Sequence, residues 1–263
     1  CVDVKYQILP SVHAPGSSMR TEHAEGAWDQ VDRSVIATVD PCALARLREM
    51  FERARKDPLI ELEARIGQKT NGHFSSGVTR EMMDMIVRCL GSCAALEAVH
   101  SSWEEVEDFF FTRDGCKHRT RVCFDPVTMR TQTTTIVKTI LDSVVLKTHV
   151  LDLRVCISRE EPVALPVVAV HTDHVRLKQT KRWKVVRSPF LVDCSMVWSG
   201  RTRTEADRRQ SEENGAFEVE VELDVHRTDD GWRRRYKCSD RLILSFLYKV
   251  TDLMGSPGVH YKL

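Results

Sequence analysis

Apolar positions along this chain follow two periods. From Asp40-Pro41 onward, Leu44, Leu47, Met50 and Phe51 recur at helical spacing, and the run stops at Asp57-Pro58. Asp is a good N-cap, proline fits the first helical turn, and a residue before proline avoids the α region, so one helix is expected there. Thr79 caps a second helix running to Leu90, with Met82, Met83, Ile86 and Leu90 on one face and Gly91 as its end. Asp240 caps a last helix carrying Leu242, Leu244, Phe246, Leu247 and Val250. Between the helices the period is two. Strands are expected from Leu59 to Gly67, Val106 to Thr112, His118 to Asp125, Thr131 to Ile140 and Val144 to Thr148. Further strands follow from Leu151 to Ser158, Val167 to His171, Arg182 to Arg187, Leu191 to Trp198, Phe217 to His226 and Trp232 to Cys238. Asp114-Gly115 and the Thr228 to Gly231 stretch read as turns, Asn71 to Val78 as a loop, and the highly charged Gly200 to Gly215 as a mobile excursion. Many antiparallel strands without a βαβ rhythm predict a mainly β protein, a closed barrel or a sandwich.

Composition narrows the picture. The 263 residues are 42% hydrophobic and 29% charged, enough for a sizeable core. With 39 basic and 38 acidic residues the formal net charge is +1, which excludes a simple basic wrap around nucleic acid but not a local segregation of sign. No apolar run reaches the about 20 residues that a membrane-spanning helix requires. Residues 1–40 read as a loose lead-in without a signal pattern, and 41–263 as one domain; the first residue is Cys1 rather than Met, so a natural N-terminus further upstream is expected. Nine cysteines are scattered without a C-x-x-C pair, and Cys89 and Cys93 read as two thiols on one helix face, so a reducing compartment is expected. The histidines, in neither H-x-x-H nor HExxH spacing, read as structural or surface residues.

Candidate chemistry lies in two strands. In Ile60-Glu61-Leu62-Glu63-Ala64-Arg65-Ile66, the period of two puts Glu61, Glu63 and Arg65 on one face and the apolar residues on the other. In Phe217-Glu218-Val219-Glu220-Val221-Glu222-Leu223, three glutamates share a face. A single E-x-E is more often just the wet side of a strand. Two such strands are different, because glutamate is a poor strand former and a row of like charges is destabilising unless a cation intervenes. Carboxylate oxygens converging on one place suit Mg²⁺ or Mn²⁺. Cations alternate in the same way: Arg119 with Arg121, Arg154 with Ser158 and Glu160, Arg176 with Lys178, Arg182 with Lys184, and Lys138 on a strand of its own. Cations and carboxylates on one face of many strands, with apolar residues on the other, point to a barrel with a hydrated, charged interior suited to phosphate chemistry.

ELEARIG (61–67) and EVEVEL (218–223) resemble the two glutamate motifs of the triphosphate tunnel metalloenzymes. Within that superfamily they are most similar to the metal-dependent RNA 5′-triphosphatases of fungal, protozoan and viral mRNA capping, and nearest to a protozoan, trypanosomatid-like type. RVCFD (121–125), LRVCISREEP (153–162) and VDCS (192–195) resemble further family strands in the same order. The resemblance implies an eight-stranded antiparallel barrel with flanking helices. It implies metal ligation by Glu61, Glu63 and Glu222, and water held by Glu160, Glu218 and Glu220. Arg121, Arg182, Lys184 and Arg187 would bind phosphates, with Asp193 orienting a basic neighbour and Lys138, Arg154 and Lys178 along the tunnel wall. Two departures stand out: Leu191 where relatives carry an arginine, and an Arg182-Trp183-Lys184 order where relatives put lysine first. The implied activity is removal of the γ-phosphate from triphosphate-ended RNA with Mg²⁺ or Mn²⁺, alongside hydrolysis of nucleoside triphosphates, by a nuclear monomer. A guanylyltransferase is the implied partner, although no tryptophan-rich docking segment is present. The alternatives are a tunnel enzyme acting on tripolyphosphate, thiamine triphosphate or free nucleotide, or a non-catalytic module that binds phosphate or an RNA end.

Overall fold

The computed structural model describes residues 40–125, 129–147, 151–164, 172–186, 188–224 and 239–254. The expected lead-in, the strands Val167 to His171 and Trp232 to Cys238, the Thr228 to Gly231 turn and the phosphate-binding candidate Arg187 lie outside them.

Helix α1 (Pro41–Lys56) starts as its sequence requires: the Asp40 carboxylate accepts from the amides of Cys42 and Ala43 at 2.9 and 3.0 Å, and Asp57 ends it in an extended conformation. Strand β1 (Ile60–Thr70) follows and turns into β2 (His73–Ser76). This stretch was expected to be a loop. Asn71 and Gly72 both have positive φ, at 50° and 82°, which is the two-residue hairpin turn that Asn-Gly favours. Helix α2 (Arg80–Ser92) is capped by Thr79 and runs through Gly91, which does not end it; Cys93 is the C-cap. After the short β3 (Leu96–Ala98) come β4 (Glu104–Arg113), β5 (Cys116–Asp125) and β6 (Arg130–Leu146). The last is one 17-residue strand where two were expected, bent by a register shift between Ile140 and Asp142. Then follow β7 (Asp152–Pro162), β8 (His174–Val185) and β9 (Phe190–Gly200).

The polar stretch after β9 holds helix α3 (Arg203–Ser211), not a mobile excursion. Its periodicity is invisible because only Ala206 is buried. The helix stands on its ends and its charges. Thr202 accepts from the Glu205 amide, the Glu205 carboxylate accepts from the Arg201 amide, and Arg203–Asp207, Arg208–Glu212 and Arg209–Glu205 pair one turn apart. Strand β10 (Ala216–Leu223) and helix α4 (Ser239–Met254) complete the described chain. Asp240 lies inside the first turn of α4, where it pairs with Arg48 of α1 at 2.7 Å.

Eight of the ten strands close an antiparallel barrel in the order β1–β7–β6–β5–β4–β8–β9–β10, with β10 returning to β1; β2 adds to β1 and β3 to β8. The barrel is turned inside out relative to an ordinary core. Leu62, Ala64, Ile66, Val155, Ile157, Val192, Val219 and Val221 point outward and are buried under α1, α2 and α4. There Phe246 of α4 meets Phe51 of α1 edge-on with centroids 5.3 Å apart, and lies 5.5 Å from Phe190. A second cluster packs Ala206 of α3 on Val175, Leu177 and Trp198. Burying one large apolar side chain is worth about 1.5–3 kcal/mol, so the outer shell stabilises the barrel and frees the interior for charge. None of the described helices is long and apolar enough to cross a membrane.

Candidate functional site

Alternation fixes what faces inward. Register then decides which inward groups meet. On neighbouring strands Glu63 lies opposite Glu222, Arg65 opposite both Glu220 and Arg154, and Glu61 opposite Ser158. On the far wall Asp108 is opposite Arg121 on one side and Arg176 on the other, while Arg182 is opposite Asp193. The result is an interior cavity of about 190 Å³ whose lining consists wholly of charged residues. Seven are acidic (Glu61, Glu63, Asp108, Glu160, Asp193, Glu220, Glu222) and seven basic (Arg65, Arg119, Arg121, Lys138, Arg176, Lys178, Arg182).

The pairing divides the tunnel into stations. At one mouth the Lys138 ammonium contacts Glu61 directly and lies 3.1 Å from Glu160 and 3.8 Å from Glu63. Ser158 donates to Glu61 at 3.2 Å, and Arg119 pairs with Glu160 at 3.2 Å. In the middle, Arg65 bridges Glu63 and Glu220, each at 3.1 Å. Arg121 makes a two-pronged bond to Asp108 at 2.7 and 3.0 Å, and Arg182 does the same to Asp193 at 2.7 and 2.6 Å, with Glu222 3.5 Å from the same Nη2 that binds Asp193. Toward the far end Arg176 holds Glu218 at 2.6 Å. There the Arg154 guanidinium stacks over the Phe74 ring, 4.9 Å from its centroid. The Nε atoms of Arg65, Arg119 and Arg154 are buried without a hydrogen-bond partner among the described residues, so the wall holds donors that water or an anion would satisfy.

Thirteen of the fourteen sequence-derived candidates lie within the described residues. Ten line the tunnel cavity: Glu61, Glu63, Arg121, Lys138, Glu160, Lys178, Arg182, Asp193, Glu220 and Glu222. Arg154 and Glu218 share the inward face but lie outside the cavity lining. Lys184 is also on that face, past the end of the β4–β8 pairing and opposite Glu97 of β3. Sequence reasoning gave no role to Asp108, Arg65, Arg119 or Arg176. The last three were on the right faces. Asp108 was hidden because both faces of its strand mix charged and apolar residues, so alternation does not mark the inward side.

Electrostatics separate the carboxylates. Burial opposes the charge of Glu220, yet Arg65, Lys178 and Arg176 hold its carboxyl well below the usual range. Glu160 is likewise buried but held down by Lys138 and Arg119. Glu222 goes the other way: burial, then repulsion from Glu61, Asp193 and Glu63, outweighs Arg182 and pushes it from 4.5 up to about 8. The folded protein without a bound cation therefore keeps a proton that the unfolded chain releases. Its stability should fall as pH rises from about 4.5 to about 8. Denaturant melts across that range should show the slope, and Glu222→Gln should flatten it. Glu220 and Glu160 contribute with the opposite sign, and only in acid below their ordinary values.

Glu61, Glu63 and Glu222 offer only oxygen, the donor type a hard divalent cation takes, and Glu63 and Glu222 stand directly opposite in register. Among the described residues no three side chains of ligand type are gathered closely enough to hold an ion already.

Comparison with known proteins bears on the fold. No family model matches the sequence. No curated protein sequence matches it. The closed antiparallel barrel is a fold shared with solved RNA triphosphatases. Among solved structures, the Pct1 RNA triphosphatase of the fission yeast S. pombe superposes with a TM-score of 0.59 over 82% of this chain and 93% of its own, at 15% identity. The same yeast protein in complex with the Spt5 CTD gives 0.59 at 16% identity, covering 82% and 94%. The triphosphatase of the mimivirus capping enzyme gives 0.55 at 10% identity, covering 82% and 98%. At such identities the likeness is one of fold.

Proposed function

We propose that this protein hydrolyses the γ-phosphate from the 5′-triphosphate end of RNA, leaving a diphosphate end ready for capping, with Mg²⁺ or Mn²⁺ held by Glu61, Glu63 and Glu222. The observation that carries the reading is the tunnel lining, in which seven cations face seven carboxylates inside a fold shared with RNA triphosphatases. Carboxylates offset much of the positive charge of this lining, and a divalent ion held by the glutamates would restore it for a polyanion.

Each wall residue then has a task. Arg121 and Arg182, held in fixed orientation by Asp108 and Asp193, present their remaining N–H groups to phosphate oxygens. Lys178 lines the cavity with its charge also felt by Glu220 and Asp108, and its ammonium is placed to meet the phosphate chain. Glu220 and Glu160, kept ionised by their arginine and lysine neighbours, accept hydrogen bonds from the attacking water and orient it in line with the scissile bond. Arg154 and Lys184 extend the positive wall beyond the cavity. A metal held by Glu61, Glu63 and Glu222 would supply Lewis-acid stabilisation of the charge that develops in the reaction.

Phosphate release from triphosphate-ended RNA, set beside release from tripolyphosphate and free nucleotide, tests the reading. Preference for RNA is expected. Turnover of tripolyphosphate alone would retain the tunnel chemistry and move the substrate to the small-molecule class.

A further inference from the structure

We infer that a second cavity, at the Glu61 mouth of the tunnel, receives the nucleoside that carries the triphosphate. The inference rests on the proposed triphosphate chemistry and names the part of the substrate that stays outside the barrel. This cavity is about 330 Å³, within the size range of small-molecule sites. It shares Glu61, Glu160 and Glu222 with the charged tunnel, so a chain of phosphates can pass from one to the other. Its character changes abruptly at that junction. Where the tunnel is lined by charge alone, the outer cavity joins apolar residues, Pro58, Leu59, Ile136 and Pro162 among them, to four carboxylates, and Ile136 and Pro162 stand opposite one another on β6 and β7.

The far end argues for the same polarity. Phe74 lies against the inward face of Gly67, where an added Cβ would come within 2.9 Å of the ring, and Arg154 covers the ring's other surroundings at 4.9 Å. An aromatic ring beside Gly67 at that end and a partly apolar cleft at the opposite mouth orient the substrate with phosphates inward and the nucleoside outward. The cleft offers apolar surface and, besides the three glutamates it shares with the tunnel, the carboxylate of Asp224. Apolar contact to a base face does not distinguish one base from another, whereas a carboxylate can accept from ribose hydroxyls. The site should therefore separate nucleotides from bare polyphosphate, with little preference among bases.

Affinities of a nonhydrolysable nucleoside triphosphate and of tripolyphosphate, measured by calorimetry in the full chain and in Ile136→Ser, test this without requiring turnover. A loss of about tenfold for the nucleotide with tripolyphosphate unchanged is expected, of the size that lost apolar contact in a pocket gives. Leu59→Ala should reproduce it, which guards against a local misfold in either variant. Equal losses for both ligands, no loss for either, or no nucleotide binding by the unaltered chain would overturn the assignment. Absence of hydrolysis with this binding pattern intact would count against the proposed reaction instead.

Discussion

Glu61→Ala, Glu63→Ala and Glu222→Ala should each reduce phosphate release by on the order of 10²–10³-fold, the scale on which a preorganised electrostatic group contributes to a transition state. The three should behave differently in stability. Glu61 and Glu63 help to balance Lys138, which keeps Glu160 as a partner when either is removed, so a modest loss is expected. Removing Glu222 takes away a half-buried carboxyl that holds its proton against repulsion, so relative to the unaltered chain that variant should gain stability progressively as pH rises from about 4.5 to about 8. Loss of activity in a protein that melts normally would place these glutamates in the chemistry. Full activity in all three would remove them from it.

Arg121→Ala should have the largest effect on folding among the tunnel substitutions. Asp108 is 1% exposed, and its carboxylate is held below the usual range by Arg121 first, then by Arg119 and Lys178. Removing one partner of a buried pair costs about 3–5 kcal/mol, because the other charge is left uncompensated. Arg119 and Lys178 remain as distant counter-charges, which puts the expected cost at the low end, about 3 kcal/mol, or a fall in Tm of roughly 6–12 °C for a chain of this size. Asp108→Ala should cost less, since the orphaned Arg121 side chain is 31% exposed to the tunnel and can be hydrated. Thermal melts of the two variants and of the double variant check this. An Asp108→Ala protein less stable than Arg121→Ala would contradict the assignment of which partner is the buried one.

The sequence was informative wherever period and charge ran together. A strand with glutamate at every second position, flanked by Val and Leu, can bury only one of its faces in an apolar core, so EVEVEL declared its inward side without any structure. The capped helix at Asp40 was legible for a local reason, since the cap and proline act within four residues. What was missed depended on distance. Whether Lys138 would meet Glu61 rather than water is set by β6 pairing with β7 and β7 with β1, a register no single strand contains. Lys184 shares the inward face of β8 with Arg182, yet β4 ends its pairing at Thr180, so this lysine falls beyond the cavity. Helix α3 was hidden because it has almost no buried face to print a period on the sequence.

The most direct test of the central claim follows the terminal phosphate itself. RNA carrying a label on the γ-phosphate is incubated with the full chain, with Mg²⁺ or Mn²⁺ and with chelator. Labelled orthophosphate that appears only with the divalent ion, leaving a diphosphate end on the RNA, is the predicted result. Labelled pyrophosphate, or orthophosphate released equally in chelator, would contradict it.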